Sequence, residues 1–247
     1  MKQLEIIKQK WQVAYDEMAC SPAFQRINNG EITAEHYKSL LRQQFHCVRE
    51  NPQMQAYLTA FLKGERRDMI KFFFRHLPSE IAHGDLVLND LKILDVDVSE
   101  ISYERPLPAT TALISYGFYQ IQHLNPVGFL GYLFHLKNMP LRAAKIYLET
   151  VKKIGVPDEA TSFIQQQIKT NIVNNALMDS FVKNLIQSED DMESVIYAAR
   201  VTARLHTAML SESLAQADNR QNWGINYLEL GYSGKAVFSQ GFGLSGS

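Results

Sequence analysis

Cysteine is scarce in this chain. Cys20 and Cys47 are the only two in 247 residues, and no CxxC spacing occurs. That excludes a disulfide scaffold and agrees with a reducing compartment. Long apolar runs are missing too: the longest, Val127 to Phe134 with its glycines, is far too short to cross a bilayer. Charge of one sign is also absent. Lys and Arg number 25 against 26 Asp and Glu, a net charge of -1, so no broad field draws nucleic acid or an anionic membrane. The opening Met1 to Glu5 has no apolar core behind it, unlike a secretory signal, and a cytoplasmic location is the expectation. There is no internal repeat, no linker long enough to separate domains and almost no alternating pattern of the kind a strand needs.

What is present is helical periodicity. Hydrophobic residues make up 46% and charged residues 21%, enough for one large core. Leu4, Ile7, Trp11, Tyr15 and Met18 recur every three or four residues and draw one apolar stripe. Ser21-Pro22 breaks it and Asn28-Asn29-Gly30 reads as a turn. Thr33 is placed to cap a helix carrying Tyr37, Leu40, Leu41, Phe45 and Val48; Pro52 ends or kinks it before Met54 to Leu62. Asp68 to Phe74 and Ile81 to Leu94 read as two helices divided near Pro78. After a proline-rich loop, Thr111 to His123 forms another. Asn125-Pro126 opens Val127 to Leu136, and Pro140 starts the run to Ile154. Glu159 to Ile186 reads as one long helix, and Ser188 with Asp191 resembles a capping box before a last helix to about Ala217. Six of the thirteen glycines lie at Gly224 or later. The expected organisation is therefore an all-α multi-helix bundle over residues 1–218 and an irregular, glycine-rich C-terminal tail over residues 219–247.

Two patterns carry chemistry. Glu80 and His83 are three apart, which on a helix puts a carboxylate and an imidazole on one face, able to share a metal ion. Such pairs are common, and a solvated or hydrogen-bonded pair is the simpler reading. At about 100° per residue, Ala160, Phe163, Gln167, Asn171, Asn174 and Met178 fall on one stripe beside Ile164, Ile168 and Ile172. Three amides thus sit among apolar residues. Burying each without a partner costs about 1–3 kcal/mol, so they form either an inter-helix hydrogen-bond network or the floor of a polar pocket. His46, His123 and His135 lie on segments expected to face the core, where histidines are more often structural than ligating.

Three stretches resemble a known family: Leu77 to His83 with Leu86 to Leu94; Tyr116 to Leu136, including Asn125-Pro126-Val127-Gly128-Phe129-Leu130-Gly131-Tyr132; and Phe163 to Ile186. With Pro22, Gly30 to Thr33 and Tyr37, residues 10–215 resemble the heme-oxygenase-like diiron oxidases, or iron-containing redox enzymes, relatives of thiaminase II and pyrroloquinoline-quinone synthase. The resemblance implies a heme-oxygenase-like bundle, dimers, and two irons. Those irons would be held by Glu and His of one helix, Glu of a central helix, and a His-x-x-x-Asp-x-x-His set of a later one. Carried over, Glu80 and His83 match the first pair. The remaining positions fall on Lys137, Gln167, Asn171 and Asn174, which keep spacing but not chemistry. Lys137, if it points inward, brings positive charge to the metal position and is able to pair with Glu80.

Two function classes follow. One is a small-molecule-binding, inactive or divergent homologue whose ligand-binding residues are Glu80, His83, Lys137, Gln167, Asn171 and Asn174. The other is an iron-dependent oxidase or oxygenase using Glu80 and His83 as metal ligands on a small, partly apolar substrate. Tyr116, Phe118, Tyr119, Phe129, Tyr132 and Phe134 would suit such a molecule, although plain core packing explains each of them. A heme-binding histidine on the first helix is missing, since none precedes His36, and the central segment has no cysteine nucleophile of the thiaminase kind.

Overall fold

The computed structural model describes residues 2–169 and 171–223; within them the side chains of residues 2, 171–175, 177 and 220–223 are not described. All regular structure in that range is helical: α1 (Lys2–Ala19), α2 (Pro22–Asn29), α3 (Ala34–Thr59), α4 (Ile70–Ile93), α5 (Pro108–His123), α6 (Phe129–Lys153), α7 (Ser162–Lys169), α8 (Asn171–Leu185) and α9 (Glu189–Trp223), with short 3₁₀ turns between some of them. Among the described residues, no helix is long and apolar enough to cross a membrane.

Local chemistry sets several boundaries. Ser21 Oγ accepts the Phe24 N–H at 3.3 Å, Pro22 supplies a pre-set first turn, and Gly30 ends α2 in the left-handed region at φ +77. The stretch Pro22–Asn29 is thus a helix of its own and not only a break. Thr33 caps α3 reciprocally, its N–H donating to His36 Nδ1 at 3.1 Å. Ser188 and Asp191 form the expected capping box: the Asp191 N–H donates to Ser188 Oγ at 3.1 Å and the Ser188 N–H to Asp191 Oδ2 at 3.0 Å. The last helix runs on to Trp223 and not to about Ala217; residues 224–247 lie outside the described residues.

Further boundaries differ from the sequence reading, and Pro52, expected to end or kink its helix, lies inside α3. Pro78 sits inside α4 and Pro140 inside α6, where breaks or starts were expected. A proline removes one donor, leaving the carbonyl four residues earlier unpaired, while the turns on either side continue. Packing of both halves outweighs that local cost of about 3 kcal/mol. The expected single helix Glu159 to Ile186 is instead a 3₁₀ turn (Asp158–Thr161), α7 and α8, with Thr170 outside the described residues. The reason lies on another helix. Asp90 of α4 accepts from the N–H groups of Ser162 and Phe163, both at 2.9 Å, and from Ser162 Oγ at 2.6 Å. A carboxylate 72 residues away in sequence thus caps α7, and Ala160 just before it leaves helical geometry (φ -90, ψ 18).

Packing centres on α9, which lies against α1, α3, α5 and α6, while α4 packs on α3 and carries α7. One buried cluster includes Ile7, Trp11, Met54, Phe73, Phe129 and Phe181, and a second includes Tyr37, Phe45, Leu91, Val151 and Ile164. The α6–α9 crossing is tightest at Gly131: a Cβ there would lie 2.0 Å from the Val195 carbonyl oxygen and 2.7 Å from the Ala199 nitrogen. Neither backbone atom can swing aside as a side chain would. Gly131→Ala should therefore lower stability by about 3 kcal/mol or more in urea unfolding. Gly84→Ala, whose Cβ would meet only Phe45 at 3.9 Å, should change it by no more than about 1 kcal/mol.

Candidate functional site

Residues of α2, α3, α4, α6, α7 and α9 line a partly open cavity of about 130 Å³. That is close to the size of a cavity that accepts one benzene ring. Its walls are mainly apolar, with Leu40, Leu136, Met139, Phe163 and Met209 among them. Glu80 and His83 of α4, Lys137 of α6 and Gln167 of α7 all line it. Asn171 and Asn174 lie on α8, but their side chains are outside the described residues.

Glu80 is 2% exposed, and three nitrogen-bearing groups meet it. Lys137 Nζ donates to Glu80 Oε1 at 2.5 Å. His76 Nε2, which the sequence reading left out, lies 2.9 Å from the same oxygen, close enough for a charge contact but without hydrogen-bond geometry. His83 Nδ1 stands 3.9 Å from Oε2, a looser electrostatic contact. Burial alone would push the Glu80 carboxyl up; the Lys137 charge, helped by His76 and His83, holds it well below the ordinary carboxylate range instead. Burial lowers His83 in spite of the pull of Glu80, so it is neutral at pH 7. The cavity floor therefore holds an ion pair, Lys137 with Glu80, beside the neutral amide of Gln167.

A second polar feature, a line of three rings, also reaches the cavity wall. Trp11 Nε1 donates to His135 Nδ1 at 3.1 Å, and His135 Nε2 lies 2.9 Å from His206 Nδ1. His206 lines the cavity. Burial holds the His135 ring well below its ordinary value, with the neighbouring His206 adding to the effect, and burial lowers His206 to about 4. The sequence shows neither Trp11 nor His206 as a site residue, because their helices meet only in the fold.

The other candidates lie elsewhere. His46 is buried with no hydrogen bond to either ring nitrogen among the described residues, is lowered to about 4 by burial and by Arg49 and Arg42, and does not line the cavity. His123 is exposed at the end of α5 against Tyr119. Phe129, Tyr132 and Phe134 are core residues, Tyr119 is exposed, and none of the six aromatics named for a ligand reaches the cavity; Phe24, Tyr147 and Phe163 supply its rings. Burial pushes the Cys47 thiol up to about 12, which leaves it unreactive.

The fold defined by these helices is heme-oxygenase-like. A heme oxygenase-like domain of unknown function from Shewanella denitrificans OS217 superposes with a TM-score of 0.81 at 21% identity, covering 95% of this chain and 98% of that one. A TenA homologue from P. horikoshii OT3 (TM-score 0.68, 10% identity, 86% and 98% covered) and one from Pseudomonas syringae pv. tomato DC3000 (0.71, 10%, 86% and 93%) share the architecture. No curated protein matches in sequence. The profile of the family described as iron-containing redox enzyme matches residues 38–217, and the chain belongs to that family.

The buried pair yields a pH prediction. Glu80 is lower in the folded state than its unfolded value of about 4.3, so its contribution is fully present above that pH and is lost as pH falls below it. Between roughly pH 4.3 and 2 the wild type should lose more stability than Glu80→Gln, read from urea midpoints. At pH 7, Lys137→Met should cost about 3–5 kcal/mol by stranding the carboxylate, and Glu80→Gln added to it should recover most of that.

Proposed function

We propose that this family member is a small-molecule-binding protein in which an ion pair stands at the metal position. The Lys137 ammonium on Glu80 is the observation that carries the reading. An ammonium has no lone pair to offer a metal, and its charge opposes that of a ferrous ion at the same place. The only carboxylate that matches the family pattern is already neutralised by it. Gln167 offers a neutral amide, and Asn171 and Asn174 are amides in sequence. Among the described residues, no three His, Cys, Asp or Glu side chains are grouped to hold a metal ion. The residues present therefore do not fit a two-iron centre. The mainly apolar cavity with a few polar groups is the kind of site that takes a small, partly apolar molecule.

The competing reading, an iron-dependent oxidase at Glu80 and His83, draws on the closeness of His76 and His83 to one carboxylate. Elemental analysis of protein produced with iron and manganese supplied separates the two. The binding reading expects no stoichiometric metal. One equivalent lost on Glu80→Ala or His83→Ala would instead establish the oxidase-type site. The combined substitutions Lys137→Glu, Gln167→His, Asn171→Asp and Asn174→His should confer iron binding, read by the same analysis.

A further inference from the structure

Trp11 of α1, His135 of α6 and His206 of α9 are all at least nine-tenths buried and hydrogen-bonded in line, with the last ring on the cavity wall. An indole N–H can only donate, so His135 Nδ1 must accept. A neutral His135 then carries its proton on Nε2 and gives it to His206 Nδ1. A neutral His206 is left with its own proton on Nε2. Among the described residues that nitrogen has no hydrogen-bond partner. Reversing the line would set an N–H of His135 against the indole N–H and strand two buried donors, so the polarity runs one way, from Trp11 toward the cavity.

We infer that His206 Nε2–H is a fixed hydrogen-bond donor to the cavity, and that the cavity takes an uncharged, partly apolar molecule through a carbonyl oxygen. The inference rests on the binding reading above and adds the ligand's chemistry to it. Among the lining residues Glu80 and Lys137 are the charged ones, and they cancel each other. A ligand carboxylate would enter with no unmatched cation to meet it, whereas an uncharged carbonyl adds no charge and satisfies the free N–H. Leu136, Met209 and Leu210 supply the apolar contacts around it. A protonated Nε2 also has no lone pair, so from this nitrogen His206 is a donor to a ligand and not a metal ligand.

Long-range proton–nitrogen spectra of histidine-labelled protein at neutral pH test the donor directly. Both His135 and His206 should be neutral with the proton on Nε2. Cyclohexanone should shift the His206 Nε2 resonance and bind about five-fold more tightly than methylcyclohexane, which has the same bulk and no acceptor. Cyclohexanecarboxylate should bind more weakly than the ketone. Trp11→Phe, at a position off the cavity wall, should remove the ketone's advantage and leave methylcyclohexane binding unchanged, and His206→Leu should abolish the preference for ketone over hydrocarbon. A proton on Nδ1 of His206, an imidazolium there, equal affinity for ketone and hydrocarbon, or tighter binding of the carboxylate would each overturn the inference while sparing the binding reading. Failure of every one of these compounds to bind would overturn the binding reading, and the ligand class with it, even with the tautomers as assigned.

Discussion

A carboxylate taken almost wholly out of water has to be met by a proton or by a cation, and Glu80 is met by a cation. That requirement organises the middle of the molecule. It draws the Lys137 chain inward from α6 and brings His76 and His83 of α4 to the two oxygens of the same carboxylate. Were Lys137 apolar, the same carboxylate would have to gain a proton, recruit water or stay charged at great cost. Were it acidic, the floor would carry two like charges and call for a cation from solution. At the Glu80 carboxylate the counter-charge comes from the chain's own Lys137.

Much of the helical order is written in the chain, because periodicity and caps are local. The stripe of α1, the Ser188–Asp191 box and the Thr33 start all form where the residues indicate. The errors share a physical origin. Pro78 and Pro140 punctuate by local rules, but packing over many residues overrules them. The beginning of α7 is set by Asp90, a cap supplied by another helix, which no window on residues 155–190 contains.

The cavity was legible only in part. Glu80, His83, Lys137 and Gln167 fall together because spacing along each helix, combined with a family resemblance, implies which faces meet. His76 could have been suspected from its place one turn before Glu80. Trp11 and His206 could not. Each is a single residue on an apolar face, and the significance of both appears only when α1, α6 and α9 place three rings in line. A hydrogen-bond polarity is a property of the assembled set, absent from any one of its members.

The position of α9 also bears on how the chain is made. This helix packs on α1, α3, α5 and α6, with Gly131 pressed against its backbone, yet it is the last of the described helices to be synthesised. At ribosomal rates of about 5–20 residues per second, roughly ten seconds or more separate the emergence of α1 from that of α9. Over that interval α1, and then α3, α5 and α6 as each is made, lack the helix they share as a packing partner. The apolar faces of the earlier helices are therefore completed only by the last described one.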